Sequence, residues 1–450
     1  MKLAAVSYGA LAASFVLPNH PVAELQRPLH DGYHQEYNAH PTSWMPGGEE
    51  LATTFENAEH GLAAGFERAA HIVEDLRDQA HDQLSNLADK INDFVEHMGG
   101  GGDHDFPDKT IYQLISESKY TTKFAKLVNE HQDIVQLLNS TSANYTLFAP
   151  VDEAFEDISD HHKKPSKEFV EQLLYYHIGL GEYPARRVLQ THTLPTAYNE
   201  KFLGGEPQRL RTSVGLSGVK VNFYNKVVAT DIGAKNGIIH GVGSILVPPP
   251  MIGQVISLFP SSFSTLLLAY EKTNFVEYIH GVRMVGSTVF VPSNTAFARL
   301  GIKANAFLFN TETGLKYLKA ILKYHIAPNA TLYTDAFYDK TGGGDSDDVD
   351  ARETQHFDLT TLLDKAHVGV DVATTFAGFS TIRVNGFSHV TIADGLGKNG
   401  AIHVLDKVLI PPCKHHKHGD EDRDDEDGDA FITGEMDTAE LKERLADYVE

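Results

Sequence analysis

Four histidines sit at matched places in this 450-residue chain. Imidazole is the side chain best suited to proton transfer or metal binding near neutral pH, so these positions set the first question. His177 and His325 each follow a tyrosine, Tyr176 and Tyr324, while His240 and His403 each close an Asn-Gly-x-Ile-His run. Catalysis would need partners in a recognisable pattern. The sequence holds no Gly-x-Ser-x-Gly elbow, no phosphate-binding glycine loop and no His-Glu-x-x-His pair. Asp152 and Glu153 are adjacent carboxylates, but Asp152 follows a strand-ending proline, Pro150, and reads as a helix N-cap. All four histidines lie among apolar neighbours, which predicts buried imidazoles sharing both nitrogens with backbone partners. No catalytic set and no cofactor is expected.

The chain carries 24 histidines, and His415-His416-Lys417-His418 beside an acidic run invites a metal reading. Weak binding of divalent ions is chemically reasonable there. A dedicated site needs fixed geometry, which a tail of that composition does not supply, so no metal centre is expected. Cys413 is the only cysteine, which excludes an intrachain disulfide and leaves each core to hold itself. Three N-x-Ser/Thr sequons, at Asn139, Asn144 and Asn329, fall beside predicted turns and mark candidate glycosylation sites.

The elements that must position these residues occur twice. Thr146-Leu147-Phe148-Ala149-Pro150 is matched by Thr288-Val289-Phe290-Val291-Pro292, and Tyr176-His177-Ile178 by Tyr324-His325-Ile326. Asn236-Gly237 through Val247-Pro248-Pro249 is matched by Asn399-Gly400 through Ile410-Pro411-Pro412. Three matches in one order make an internal duplication. The offset grows from 142 to 148 to 163 along the copies, so the second gains residues, chiefly in the glycine- and aspartate-rich stretch from Lys340 to Glu353. Each copy opens with short helical patterns, Ile111 to Leu138 and Ile252 to Ile279. A strand ended by proline follows. Asp152 and Asn294 then read as N-caps, and the later halves alternate as antiparallel strands joined by Asn-Gly turns that tolerate positive φ. Helices first and strands later predict an α+β fold.

The flanks differ from the repeats. Residues 1–17 resemble a signal peptide, with Lys2 ahead of an apolar run and small residues at Ala10, Ala12 and Ser14. Residues 18–54 read as an unstructured leader. From Leu62 to Met98 apolar residues recur at the period of a straight helix, predicting an amphipathic helix over 55–98 that packs on a neighbour or pairs with a second copy. Residues 413–450 carry 14 acidic and 5 basic residues and read as a disordered tail with room for a short helix from Thr438 to Tyr448. No stretch reaches the roughly 20 apolar residues of a membrane span. The formal charge of −23 argues against nucleic acid and anionic membrane surfaces as partners.

The proline-ended strand block, the Tyr-His pair and the Asn-Gly…Pro-Pro block resemble the conserved segments of fasciclin domains. Two tandem copies, at 108–250 and 251–412, cover about two thirds of the chain. The resemblance implies a β-sandwich or wedge with flanking small helices, and secreted, cell-surface or endomembrane roles in adhesion and matrix contact. In animal members the Tyr-His region is implicated in receptor contact, which marks Tyr176, His177, Tyr324 and His325 as candidate partner-binding residues. Gly243 stands where the second copy has Asp406, so a role needing that carboxylate belongs to the second domain alone. The expected function is a non-enzymatic contact protein for matrix, cell wall or another protein. The alternative is a luminal vacuolar or endomembrane protein binding a lipid or other small apolar ligand.

Overall fold

The structure, a computed structural model, describes residues 108–156, 165–188, 191–215, 218–340, 347–348, 354–364, 366–374, 380–412 and 436–449. The expected signal peptide, leader and 55–98 helix lie outside these residues, as do His415, His416 and His418. The chain divides into two compact units between Pro250 and Met251.

In the first unit α1 (Ile111–Glu117), α2 (Thr122–Asn129) and α3 (Gln132–Asn139) precede β1 (Tyr145–Pro150). There follow α4 (Lys167–Tyr176), β2 (Ile178–Leu180), α5 (Ala185–Val188), β3 (Thr193–Asn199), β4 (Pro207–Gly215), β5 (Gly218–Val221), β6 (Asn225–Ala234) and β7 (Gly237–Val242). Each strand pairs with the next and β7 returns to β1, which closes the sheet into a barrel. The helices form for local reasons. Thr110 and Gln113 make a reciprocal capping box on α1, whose Ile111, Leu114 and Ile115 turn one stripe inward.

The second unit repeats the plan with α6 (Ile252–Ser257), α7 (Pro260–Lys272), α8 (Phe275–His280), β8 (Ser287–Pro292), α9 (Asn294–Arg299), α10 (Ile302–Asn310), α11 (Glu312–Tyr324) and β9 (Ile326–Pro328). β10 (Ala330–Leu332), β11 (Ala336–Asp339) and, within the inserted stretch, β12 (Asp347–Asp348) form a small sheet of their own. The main sheet runs β13 (Gln355–Thr360), β14 (His367–Thr374), β15 (Ser380–Val384), β16 (Ser388–Gly397), β17 (Gly400–Leu405), then β8 and β9. It stays open where the first unit closes, although Leu362 N–H still donates to Ile326 O at 2.9 Å across the gap. The α+β expectation holds. The sandwich is a closed barrel in one copy and a nearly closed sheet in the other.

Not every strand pair is antiparallel. β1 pairs with β7 in parallel, placing Phe148 opposite His240, and β8 pairs with β17 likewise, placing Phe290 opposite His403. These strands are buried along nearly their whole length, as parallel strands covered on both faces must be. Within each domain the first and last of the repeated sequence blocks are therefore neighbours in space.

Two local expectations need correction. Asp152 does not cap its own turn; its carboxylate accepts from Thr122 Oγ1 and Lys123 N–H, both at 2.8 Å, at the N-terminus of α2. Asn294 likewise reaches back to Thr265 N–H at 2.9 Å in α7, and Ser293 caps α9. The Asn-Gly turns owe little to positive φ at asparagine. Asn236 is buried and ties three segments together: Oδ1 accepts from Ile111 N–H at 2.8 Å, and Nδ2 donates to Leu138 O and Ser140 O at 2.9 and 2.7 Å. The short helix for which the tail had room, Thr438 to Tyr448, is present. Residues 436–449 hold α12 (Thr438–Leu445), whose Leu441 and Leu445 are fully buried in the second unit's core.

Asn399 is the second copy's counterpart of Asn236 and does less. It accepts from Ile252 N–H at 2.9 Å, while its buried Nδ2 has no partner among the described residues. Replacing Asn236 by alanine is expected to cost about 3 kcal/mol, at roughly one per lost buried bond, and Asn399→Ala about 1 kcal/mol. Urea unfolding of the two variants checks the ranking; equal losses would contradict it.

Candidate functional site

The matched residues form one buried cluster in each domain. Tyr176, His177 and Tyr324 are fully buried, and His325 is 3% exposed. His177 ends α4, where Nδ1–H donates to Leu173 O at 2.7 Å, one helical turn back. Its Nε2 accepts from Leu246 N–H at 2.9 Å, just before the Val247-Pro248-Pro249 run. His325 repeats this with Ile321 O at 2.8 Å and Leu409 N–H at 3.0 Å. A backbone donor on Nε2 and a backbone acceptor on Nδ1 require the neutral imidazole. Burial pushes both rings down to about 4, only partly offset by the bond to the helix carbonyl.

The second pair is built by a bulge. In β6 and β16 the register shifts around Asp231 and Asp394, which take φ of 58° and 59°. This turns the Asp231 N–H toward His240 Nδ1 at 3.3 Å and the Asp394 N–H toward His403 Nδ1 at 3.4 Å. The opposite nitrogens donate to Tyr183 O and Leu332 O, both at 2.8 Å. Phe148 and Phe290 lie against these rings at centroid distances of 5.5 and 5.9 Å. Burial lowers the pKa of both histidines.

The tyrosines serve the far end of the sheet. Tyr176 Oη donates to Arg209 O at 3.0 Å and accepts from Asn222 Nδ2 at 2.8 Å; Tyr324 does the same with His367 O and Asn385, both at 3.0 Å. Asn222 and Asn385 hold φ of 53° and 52° at the β5–β6 and β15–β16 hairpins. Burial raises the Tyr324 phenol to about 12, so it stays a donor. The Tyr-His pair is thus a peg beneath a hairpin, closed to direct contact from outside. Tyr176→Phe is expected to cost about 2 kcal/mol, because it strands a buried carbonyl and a buried amide. Thermal unfolding of the variant measures this, and an unchanged midpoint would refute the peg.

Among the described residues no group of three or more His, Cys, Asp or Glu could hold a metal ion. What the surface does offer lies where the copies differ. In the second domain an open groove of about 520 Å³ is lined by Arg299, Arg383, Gly386, Phe387, His389, Asp406 and Lys407. Arg299 Nη1 bonds the Asp406 carboxylate at 2.5 Å, and Asp406 Oδ1 accepts from His389 N–H at 3.2 Å. Sequence comparison singled out Asp406 against Gly243 but gave no sign of the surrounding cations, which come from three separate segments.

A fasciclin domain profile matches residues 119–248 and 261–411, each spanning a helix–barrel or helix–sheet unit described above. The chain belongs to the fasciclin family. Aurofusarin biosynthesis cluster protein S of Gibberella zeae is 28% identical over 68% of this chain and 78% of its own length. Stabilin-2 of Mus musculus is 26% identical over 48% of this chain, which spans only 8% of that larger protein. A solved fasciclin domain pair from the insect cell adhesion molecule Fasciclin I is 20% identical, covers 64% of this chain and 96% of that one, and superposes with a TM-score of 0.30. In this fasciclin protein the Tyr-His pairs and the Asn-Gly-x-Ile-His histidines are buried in the two domain cores.

Proposed function

We propose that this chain is a non-enzymatic contact protein of the secretory pathway, acting at the cell surface, wall or matrix. The observation that carries the reading is the commitment of all four repeat histidines to backbone bonds in the neutral form. No proton or ligand site is left in the motif residues, so two rigid fasciclin domains present surfaces instead. No described helix is long and apolar enough to cross a membrane. The export reading also draws on the sequons. Asn139 and Asn329 accept hydrogen bonds through Oδ1, from Thr110 Oγ1 at 2.7 Å and Val285 N–H at 2.8 Å, which does not occupy the amide nitrogen that a glycan needs. The Asn144 amide donates to half-buried Glu182 at 3.1 Å. The alternative, an apolar ligand, is less well served, since the second-domain groove and a first-domain groove lined by Glu182, Pro184, Arg186 and Arg187 both carry mostly charged side chains.

The test is to locate a tagged chain in intact cells and delete it. Surface or luminal signal, a mass loss on deglycosylation and reduced attachment or aggregation are expected. A purely cytosolic chain with unmodified Asn139, Asn144 and Asn329 would sink the reading.

A further inference from the structure

The copies keep one register from Lys220 and Arg383 to Ser244 and Lys407, so they can be compared position by position. In the first domain Asn225 bridges to Ser244, accepting from its N–H at 3.0 Å and donating to its carbonyl. In the second domain Ser388 stands in place of Asn225 and is too short to bridge. Its hydroxyl is fully buried and has no hydrogen-bond partner among the described residues. Lys407 replaces Ser244, Asp406 replaces Gly243, and the bridged surface becomes the groove described above.

The groove is cationic in an anionic chain. Arg299, Arg383 and Lys407 face one carboxylate, Asp406, while the whole chain has a formal charge of −23. Arg299 is occupied by Asp406. Arg383 is exposed, lies opposite Asp371 on β14, and makes no side-chain hydrogen bond or ion pair among the described residues, and Lys407 makes one long bond, to Phe387 O at 3.4 Å. Arg383 and His389 lie opposite one another on β15 and β16, which places their side chains side by side. Half-buried Phe387 adds an apolar ring, with Lys407 Nζ 5.9 Å from its centroid.

We infer that this groove binds an acidic oligosaccharide, a run of uronate sugars. A guanidinium fork takes a carboxylate in two parallel bonds, an ammonium takes the next as a point charge, and an aromatic face receives the C–H side of a pyranose. An acidic peptide fits less well. It would bring backbone donors and acceptors needing partners, and β15 and β16 are each paired on both sides, leaving no strand edge there. The inference deepens the contact function proposed above and rests on it only for where such a glycan would be met.

Calorimetric titration of the full chain with oligogalacturonate tests it, with a neutral glucan oligomer and an oligoglutamate peptide as comparisons. The uronate should bind and the glucan should not. Arg383→Gln and Lys407→Gln should each weaken binding at least tenfold with unchanged unfolding midpoints. The first-domain changes Lys220→Gln, at the position matching Arg383, and Lys226→Gln, at the position matching His389, should leave it intact. Perturbation of the His389 ring resonances on titration gives a readout that needs no variant. Absence of uronate binding, indifference to both groove variants, or preference for the peptide would overturn the inference. Reduced cell attachment on deletion together with no uronate binding would remove this ligand and keep the contact function.

Discussion

Lowering the pH from 7 to 5 is expected to destabilise each domain by about 2 kcal/mol through a single histidine, His177 in the first and His325 in the second. Both rings are fully buried and neutral, with folded pKa values near 4 set mainly by burial. In the unfolded chain the same ring takes a proton near 6.5. Between those values the unfolded state binds more protons than the folded state, so stability is complete above about 6.5 and drains away as pH falls toward 4. The full difference is about 3 kcal/mol per ring, and His240 and His403 shift in the same direction. Urea titrations at the two pH values measure the loss. Nuclear magnetic resonance of the histidine Cε1 protons assigns it, since rings titrating near 6.5 in the folded protein would contradict the burial argument. The protein should therefore be at its most stable at neutral pH and above, despite its acidic composition.

The second large effect concerns Gly237 and Gly400. These glycines follow the anchoring asparagines and adopt φ of +143° and +150°. A Cβ at Gly237 would sit 1.9 Å from Tyr145 O, and one at Gly400 the same distance from Ser287 O. The obstructing atom is backbone at the start of the parallel partner strand, so no rotamer change relieves it. Gly237→Ala and Gly400→Ala are each expected to cost about 4 kcal/mol or more, enough to unfold a domain of ordinary stability. Gly205→Ala is the control: φ is +86° with nothing within 4 Å, so only the conformational penalty of about 1 kcal/mol applies. Yield and unfolding midpoint of the three variants check the claim. A Gly237→Ala protein as stable as Gly205→Ala would refute it.

These results explain what could be read from the sequence. The repeated blocks are long, strongly patterned and local, so the helices, strands and buried histidines were legible. Their partners were not. Nothing in the sequence says that the nitrogen of His177 meets the backbone of Leu246, 69 positions away, or that Asp152 caps a helix 29 positions back. Short-range rules assign a carboxylate to the nearest helix start, and tertiary packing offered a better one. The parallel pairing escaped for the same reason, because period-two alternation carries no strand direction. The short helix of the tail was legible, but the docking of Leu441 and Leu445, two apolar positions on an otherwise charged helix, was not. The groove was least legible, since its cations are single residues far apart in the chain.

The parallel pair has a mechanical consequence. In each domain the first strand, β1 or β8, lies beside the last, β7 or β17, and points the same way. Tension applied to the two ends of a domain pulls the start of one strand and the finish of the other in opposite directions along their shared axis. The bonds between them cross that axis, so they share the load together and cannot open one after another. In the first domain the clamp is six residue pairs long, Tyr145 with Gly237 through Pro150 with Val242. Under the proposed contact role, pulling on a domain would meet the sheet in shear.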